Sequence, residues 1–176
     1  MSANVGITYA PGSSKQPDAS FIPVRLPQPS RNNRLMFQPS STTHYPSFVI
    51  EVAFTNETLN KLLDDASDKY FSVHASVQCW LGVKIWKGQR VFWSGWGVRA
   101  AGGQGLRIIE QTEDAQGMAC TFPVVLPANT PALPGQFAIP SVHIYHPNVP
   151  PATVPQALVF PFESLRQEIE NGFDRM

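Results

Sequence analysis

Apolar positions along this chain fall into short runs separated by polar, proline-bearing stretches, with a single longer segment at helical spacing. "NVGITY" and "DASFIPV" are predicted as short strands, with "PGSSK" as the turn between them. "SFVIEVAF" is nearly continuous in apolar residues, as expected of a strand covered on both faces. The one long helix is "TNETLNKLLDDASDKYFS", with Thr55 or Asn56 at its start and Glu57 in the first turn, where the macrodipole favours negative charge. Leu59, Leu62, Leu63, Ala66 and Tyr70 line one of its faces. In "VQCWLGVKIW" alternation puts Val77, Cys79, Leu81, Val83 and Ile85 on one side and Gln78, Trp80, Lys84 and Trp86 on the other. "KGQ" turns this strand into "RVFWSGWGV". "LRIIEQTE", "MACTFPVVL" and "SVHIYH" read as further strands, and "ESLRQEIENGF" as a short amphipathic helix stopped at Gly172.

The 17 prolines sharpen this picture, because residues 47 to 122 contain none of them. Proline removes a backbone donor and fixes φ, so the central strands and main helix belong in that middle, with loops and edge strands on either side. "LPQPSRNNRLMFQPSSTTHYP" is a polar connection. The expected fold class is α+β, a mixed central sheet with one main helix after the third strand, further C-terminal strands and a short C-terminal helix. At 176 residues the chain is read as a single domain.

Hydrophobic residues at 43% are enough for a core, and 13 basic side chains balance 13 acidic ones. This neutrality gives no global field for nucleic acid or an anionic membrane. No apolar run is long enough to span a bilayer, and the N-terminus lacks a signal-peptide pattern, so an intracellular, cytoplasmic or nuclear protein without a membrane partner is expected. Cys79 and Cys120 lie in apolar runs and are read as reduced thiols.

The chemistry-bearing feature is acidic. Glu51 interrupts the apolar third strand, where an ionised carboxylate is costly unless neutralised. Asp18 opens the strand before it. Two carboxylates on neighbouring strands suit a shared cation, and Mg²⁺ prefers such oxygen ligands. Without chemistry, Asp18 is a turn residue and Glu51 sits at an edge or pairs with Lys84 or Arg90.

"QPDASFIP", then "YPSFVIEVAF" about thirty residues on, then a helix with "LLDDASDKYF", resembles the PD-(D/E)XK nuclease superfamily, and within it the Uma2-like restriction-endonuclease family with its fungal-type copies. The resemblance covers roughly residues 5 to 95 and implies a restriction-endonuclease-like core there, followed by a β-rich, proline-containing extension over about 96 to 176. It implies that Asp18 and Glu51 hold Mg²⁺, with Mn²⁺ as a substitute, for hydrolysis of DNA phosphodiester bonds. The family's lysine two residues after the acid is missing, since Val52 and Ala53 follow Glu51. Lys61 and Lys69 on the helix and Lys84 on the next strand are the candidate replacements, Lys69 being preferred. The N-terminal helix that brings a further Glu in many relatives has no counterpart, which implies a truncated or decayed copy.

The competing reading keeps the fold without the chemistry. Trp80, Trp86, Trp93 and Trp96, interleaved with Lys84, Lys87 and Arg90, would then make a binding platform on a hairpin. A β-sandwich interaction protein is a third reading, and dimerisation is left open. His143 and His146 have a spacing that suits no strand face and no zinc pair, and "AGGQG" is a flexible connection, not a phosphate loop.

Overall fold

The computed structural model describes residues 7–10, 13–21, 46–54, 56–73, 75–146 and 149–174. Residues 26 to 45 of the polar connection, and Thr55, lie outside them. The fold is mixed α+β, with a mixed central sheet and few helices. A hairpin of β1 (Ile7–Ala10) and β2 (Ser13–Lys15) comes first. β3 (Ala19–Phe21), β4 (Phe48–Ala53), β5 (Cys79–Trp86), β6 (Val91–Arg99) and β7 (Leu106–Gln111) then form the sheet in that order, with β8 (Phe122–Pro123) also pairing β6. Every pairing is antiparallel except β4 with β5. That parallel pair needs a crossover, which α1 (Leu59–Asp65) and the π-helical turn Ala66–Tyr70 supply. β9 (Gln136–Pro140) and β10 (Ala157–Pro161) make a second hairpin, accompanied by α2 (Ser141–Tyr145) and α3 (Phe162–Asp174).

The two faces of the sheet are covered differently. Val49, Ala53, Trp80 and Trp93 meet Leu62, Ala66 and Tyr70 of the crossover. On the other face Phe48, Leu81 and Trp96 pack against Phe137, Ile139, Ile144 and Phe162 of the C-terminal part. This is why β4 is apolar apart from Glu51: both its faces are roofed. Glycine makes room for the large side chains. Cβ atoms at Gly82 and Gly95 would fall 2.1 Å from the Trp80 ring and 2.6 Å from the Trp93 ring, so each indole lies over the glycine two positions along its own strand.

Several expectations are corrected. "SVHIYH" is a helical turn, not a strand; its β-branched residues point to sheet, but Ile144 and Tyr145 are buried from a helix. Ser13–Lys15 is a strand where "PGSSK" reads as a turn. "MACTFPVVL" shrinks to Phe122–Pro123, while β9 and β10, both ending at proline, escape the pattern. The main helix is capped by Thr58, whose hydroxyl accepts from the Lys61 N–H, so Asn56 and Glu57 precede it. Gly172 lies within α3, which runs on to Asp174. Val77 packs with Trp80, not opposite it, because the strand begins only at Cys79. Trp80, Trp93 and Trp96 are core residues, which removes the surface that a tryptophan platform requires. Cys79 and Cys120 are free thiols. No helix among the described residues is long and apolar enough to cross a membrane.

Candidate active site

Glu51 faces α1, because the register pairs it with Gly82 on the side of the sheet that carries Trp80. Gly82 offers no side chain to neutralise it, and Glu51 is buried. Its partners come from elsewhere. The Lys15 ammonium lies 2.5 Å from Oε1, and the Tyr70 hydroxyl donates to Oε2 at 2.7 Å. Lys15 also reaches Asp65 Oδ2 at 3.2 Å and sits 5.5 Å from the centre of the Tyr70 ring. Asp65, buried at the end of α1, receives Lys69 at 2.8 Å and Lys61 as well. Three ammonium groups and two buried carboxylates thus form one connected cluster, half roofed by the β1–β2 hairpin.

Asp18 stands beside it. Antiparallel pairing of β3 with β4 runs from Phe21↔Phe48 to Ala19↔Ile50, and the next step of that register is level with Glu51. β3 stops there, which would leave the Val52 N–H without a backbone acceptor. Asp18 Oδ2 takes that hydrogen bond at 2.6 Å, so its carboxylate extends the ladder by one rung. The residue itself is exposed. Its charge, with those of Glu51 and Asp65, adds to the effects that raise the Tyr70 pKa.

The π-helical turn shapes this end of the site. The Phe71 N–H bonds back five residues to Ala66 at 3.0 Å. In the widened turn Lys69 stays with Asp65 while Tyr70 turns inward to Glu51. Such insertions concentrate at functional sites.

The protonation states follow from the contacts. Burial acts to lower the Lys15 ammonium, but the hydrogen bonds and charges of Glu51 and Asp65 outweigh it and raise its pKa. Burial and the Glu51 carboxylate both push Tyr70 far above a free phenol. Burial alone would raise Asp65; Lys61, Lys69 and Lys15 hold it well below the carboxylate range. Near neutral pH the cluster therefore contains ammonium ions, ionised Asp65 and a neutral phenol. Neither Lys15 nor Tyr70 is poised to act as a base. What the cluster can do is stabilise charge.

The lysine candidates separate clearly. Lys61 and Lys69 both bind Asp65, not Glu51. Lys84 shares the Glu51 face of the sheet, yet its buried ammonium donates to the Phe54 carbonyl at 2.7 Å and the Ile85 carbonyl at 3.1 Å. Arg90 lies over the Phe173 ring. The ammonium at Glu51 is that of Lys15, which sequence reasoning missed because "SSK" reads as turn. Asp65, among the charged residues of the helix, is the second buried acid. Its signal was present in the spacing, since Lys61 and Lys69 stand four residues before and after it. No group of three or more His, Cys, Asp or Glu residues with metal-holding geometry occurs among the described residues. No family model, curated protein or solved structure matches the chain.

Proposed function

We propose that the chain is a metal-dependent nuclease of the PD-(D/E)XK type, acting on DNA phosphodiester bonds through Asp18 and Glu51. The observation that carries this reading is that the antiparallel register sets Asp18 level with Glu51, with a lysine against the Glu51 carboxylate. The element order supports it as well. A short strand entered by Pro-Asp pairs with the glutamate strand, and a crossover helix then leads to a parallel strand.

The site suits a cation: an ammonium already bridges Glu51 and Asp65. Mg²⁺ held by Asp18 and Glu51 would supply Lewis-acid stabilisation at the phosphate and an activated water. Lys15 would take the role of the displaced motif lysine. Held as a cation and half-buried, it stabilises charge developing on a phosphate oxygen instead of removing a proton. Tyr70 orients Glu51 by its hydrogen bond. Lys61 and Lys69, balanced by Asp65, border the site with positive charge.

The second reading, a nuclease-like scaffold without chemistry, is favoured by one observation: both oxygens of Glu51 are already engaged, by Lys15 and Tyr70. Its contact surface would not be the buried tryptophans. Nicking of supercoiled plasmid with Mg²⁺ or Mn²⁺ separates the readings. Wild type is expected to cut, Asp18→Ala and Glu51→Gln to lose activity, and Lys15→Met to slow by about 10²-fold, the scale of losing one charge-stabilising donor. A wild-type protein that cuts neither DNA nor RNA with either metal leaves only the scaffold.

A further inference from the structure

A second polar site lies away from the acidic cluster, where β6 ends and α2 packs. A pocket of about 330 Å³ is lined by Arg99, Arg107, His143 and His146, with Gln78 and the backbone at Gly103. None of its lining residues is acidic. Arg99 anchors it from behind. Its terminal nitrogens donate to the carbonyls of Phe71, Ser72, Ala75, Val77 and Gly103 at 2.8 to 3.0 Å, and its Nε is buried without a partner. Carbonyl dipoles satisfy its terminal hydrogens, but no carboxylate among the described residues pairs with it, and a part-buried cation of this kind gains from a nearby anion. Arg107 is exposed and likewise has no ion pair among the described residues. His143 packs tilted against Trp96, with ring centres 5.8 Å apart and planes at 52°. The three-residue spacing of His143 and His146, unsuited to a strand, places both on one side of a helical turn and into one pocket.

We infer that Arg107, His143 and His146, backed by the fixed charge of Arg99, form a binding site for a phosphate group. The groups present favour a phosphate over a carboxylate: several separated donors surround a cavity wide enough for a tetrahedral anion, with no two-pronged clamp available from Arg99, whose two terminal nitrogens are both engaged by carbonyls. Burial, then the charges of Arg107 and His146, lower the pKa of His143. The site stands on this geometry alone and does not depend on the acidic cluster.

The test is calorimetric titration of the full chain in chloride buffer with a chelator, near the ordinary histidine pKa of 6.5. The probes are inorganic phosphate, a nucleoside 5′-monophosphate and a 5′-phosphorylated single-stranded oligonucleotide. One probe molecule should bind per chain, about tenfold or more weakly in Arg107→Glu, while Arg107→Lys keeps part of the affinity and Glu51→Gln keeps all of it. Binding of the oligonucleotide alone identifies a nucleic-acid phosphate; equal binding of all three identifies a free small phosphate. Because Arg107 is exposed, Arg107→Glu is expected to fold, which its circular dichroism checks. If no probe binds wild type, or if a folded Arg107→Glu binds as well as wild type, the site is refuted. Loss of plasmid nicking with phosphate binding intact would remove the nuclease reading and leave this one standing.

Discussion

At the scale of single residues, the central fact is that Glu51 is an acid both buried and paired. A buried carboxylate stripped of one partner is more harmful than a pair replaced together. Lys15→Met should therefore cost about 3 kcal/mol, more than Glu51→Gln, which removes the charge itself. Urea midpoints measured across pH test this. Lys15 and Tyr70 have raised pKa values, so their contribution is intact below their ordinary values of 10.5 and 10.0 and is lost as pH rises through the native ones. Asp65 is depressed, so its contribution is present above its ordinary 3.8 and lost as pH falls through the native value. The wild-type midpoint should fall above about pH 10 and below about pH 4, and Lys15→Met should flatten the alkaline limb. Identical alkaline limbs in the two proteins would contradict the pairing. Glu51 was legible as an acid in need of a partner because it interrupts an apolar strand. Lys15 was not, because three polar residues after a Pro-Gly carry no periodicity.

At the scale of elements, the sequence pattern worked where one face was enough to define it. Val49, Leu62, Ala66 and Tyr70 were readable from spacing, and all are buried. It failed where tertiary packing chose the conformation, as in α2, whose single turn is held by contacts of Ile144 and Tyr145. The tryptophans are the instructive case. Trp80-Leu81-Gly82 and Trp93-Ser94-Gly95 share one logic, a large ring laid over a missing side chain. Interleaved basic residues suggested an exposed platform, whereas the glycine two positions on was the sign of burial. Gly82→Ala should destabilise by about 1–3 kcal/mol through overpacking, and Trp80→Leu in the same chain should recover part of the loss. Chemical denaturation of the two single variants and the double variant tests this; strictly additive losses would mean that the ring and the glycine do not share the space.

At the scale of the whole molecule, residues 96 to 176 are no appendage to a core over 5 to 95. β6 and β7 complete the sheet, and Phe137, Ile139, Ile144 and Phe162 roof the face that carries Phe48, Leu81 and Trp96. A chain ending at residue 133 would expose those aromatic and aliphatic side chains to water, each worth roughly 1.5–3 kcal/mol when fully buried. It should aggregate or bind a hydrophobic dye strongly, and a monomeric, cooperatively melting fragment would show that the roof is dispensable. The mixed α+β class was legible from the chain because the proline-free middle marks its central strands; the second hairpin was not, because its strands end at prolines that normally argue against sheet.

The account's central claim is that Asp18 and Glu51 serve one divalent cation. Calorimetric titration of the metal-free chain with Mn²⁺ addresses it without any assumption about substrate. One Mn²⁺ should bind per chain, with binding abolished in Glu51→Gln, weakened in Asp18→Ala and strengthened in Lys15→Met, where no ammonium competes for the Glu51 carboxylate. Absence of Mn²⁺ binding in wild type, or binding that survives unchanged in Glu51→Gln, would contradict it.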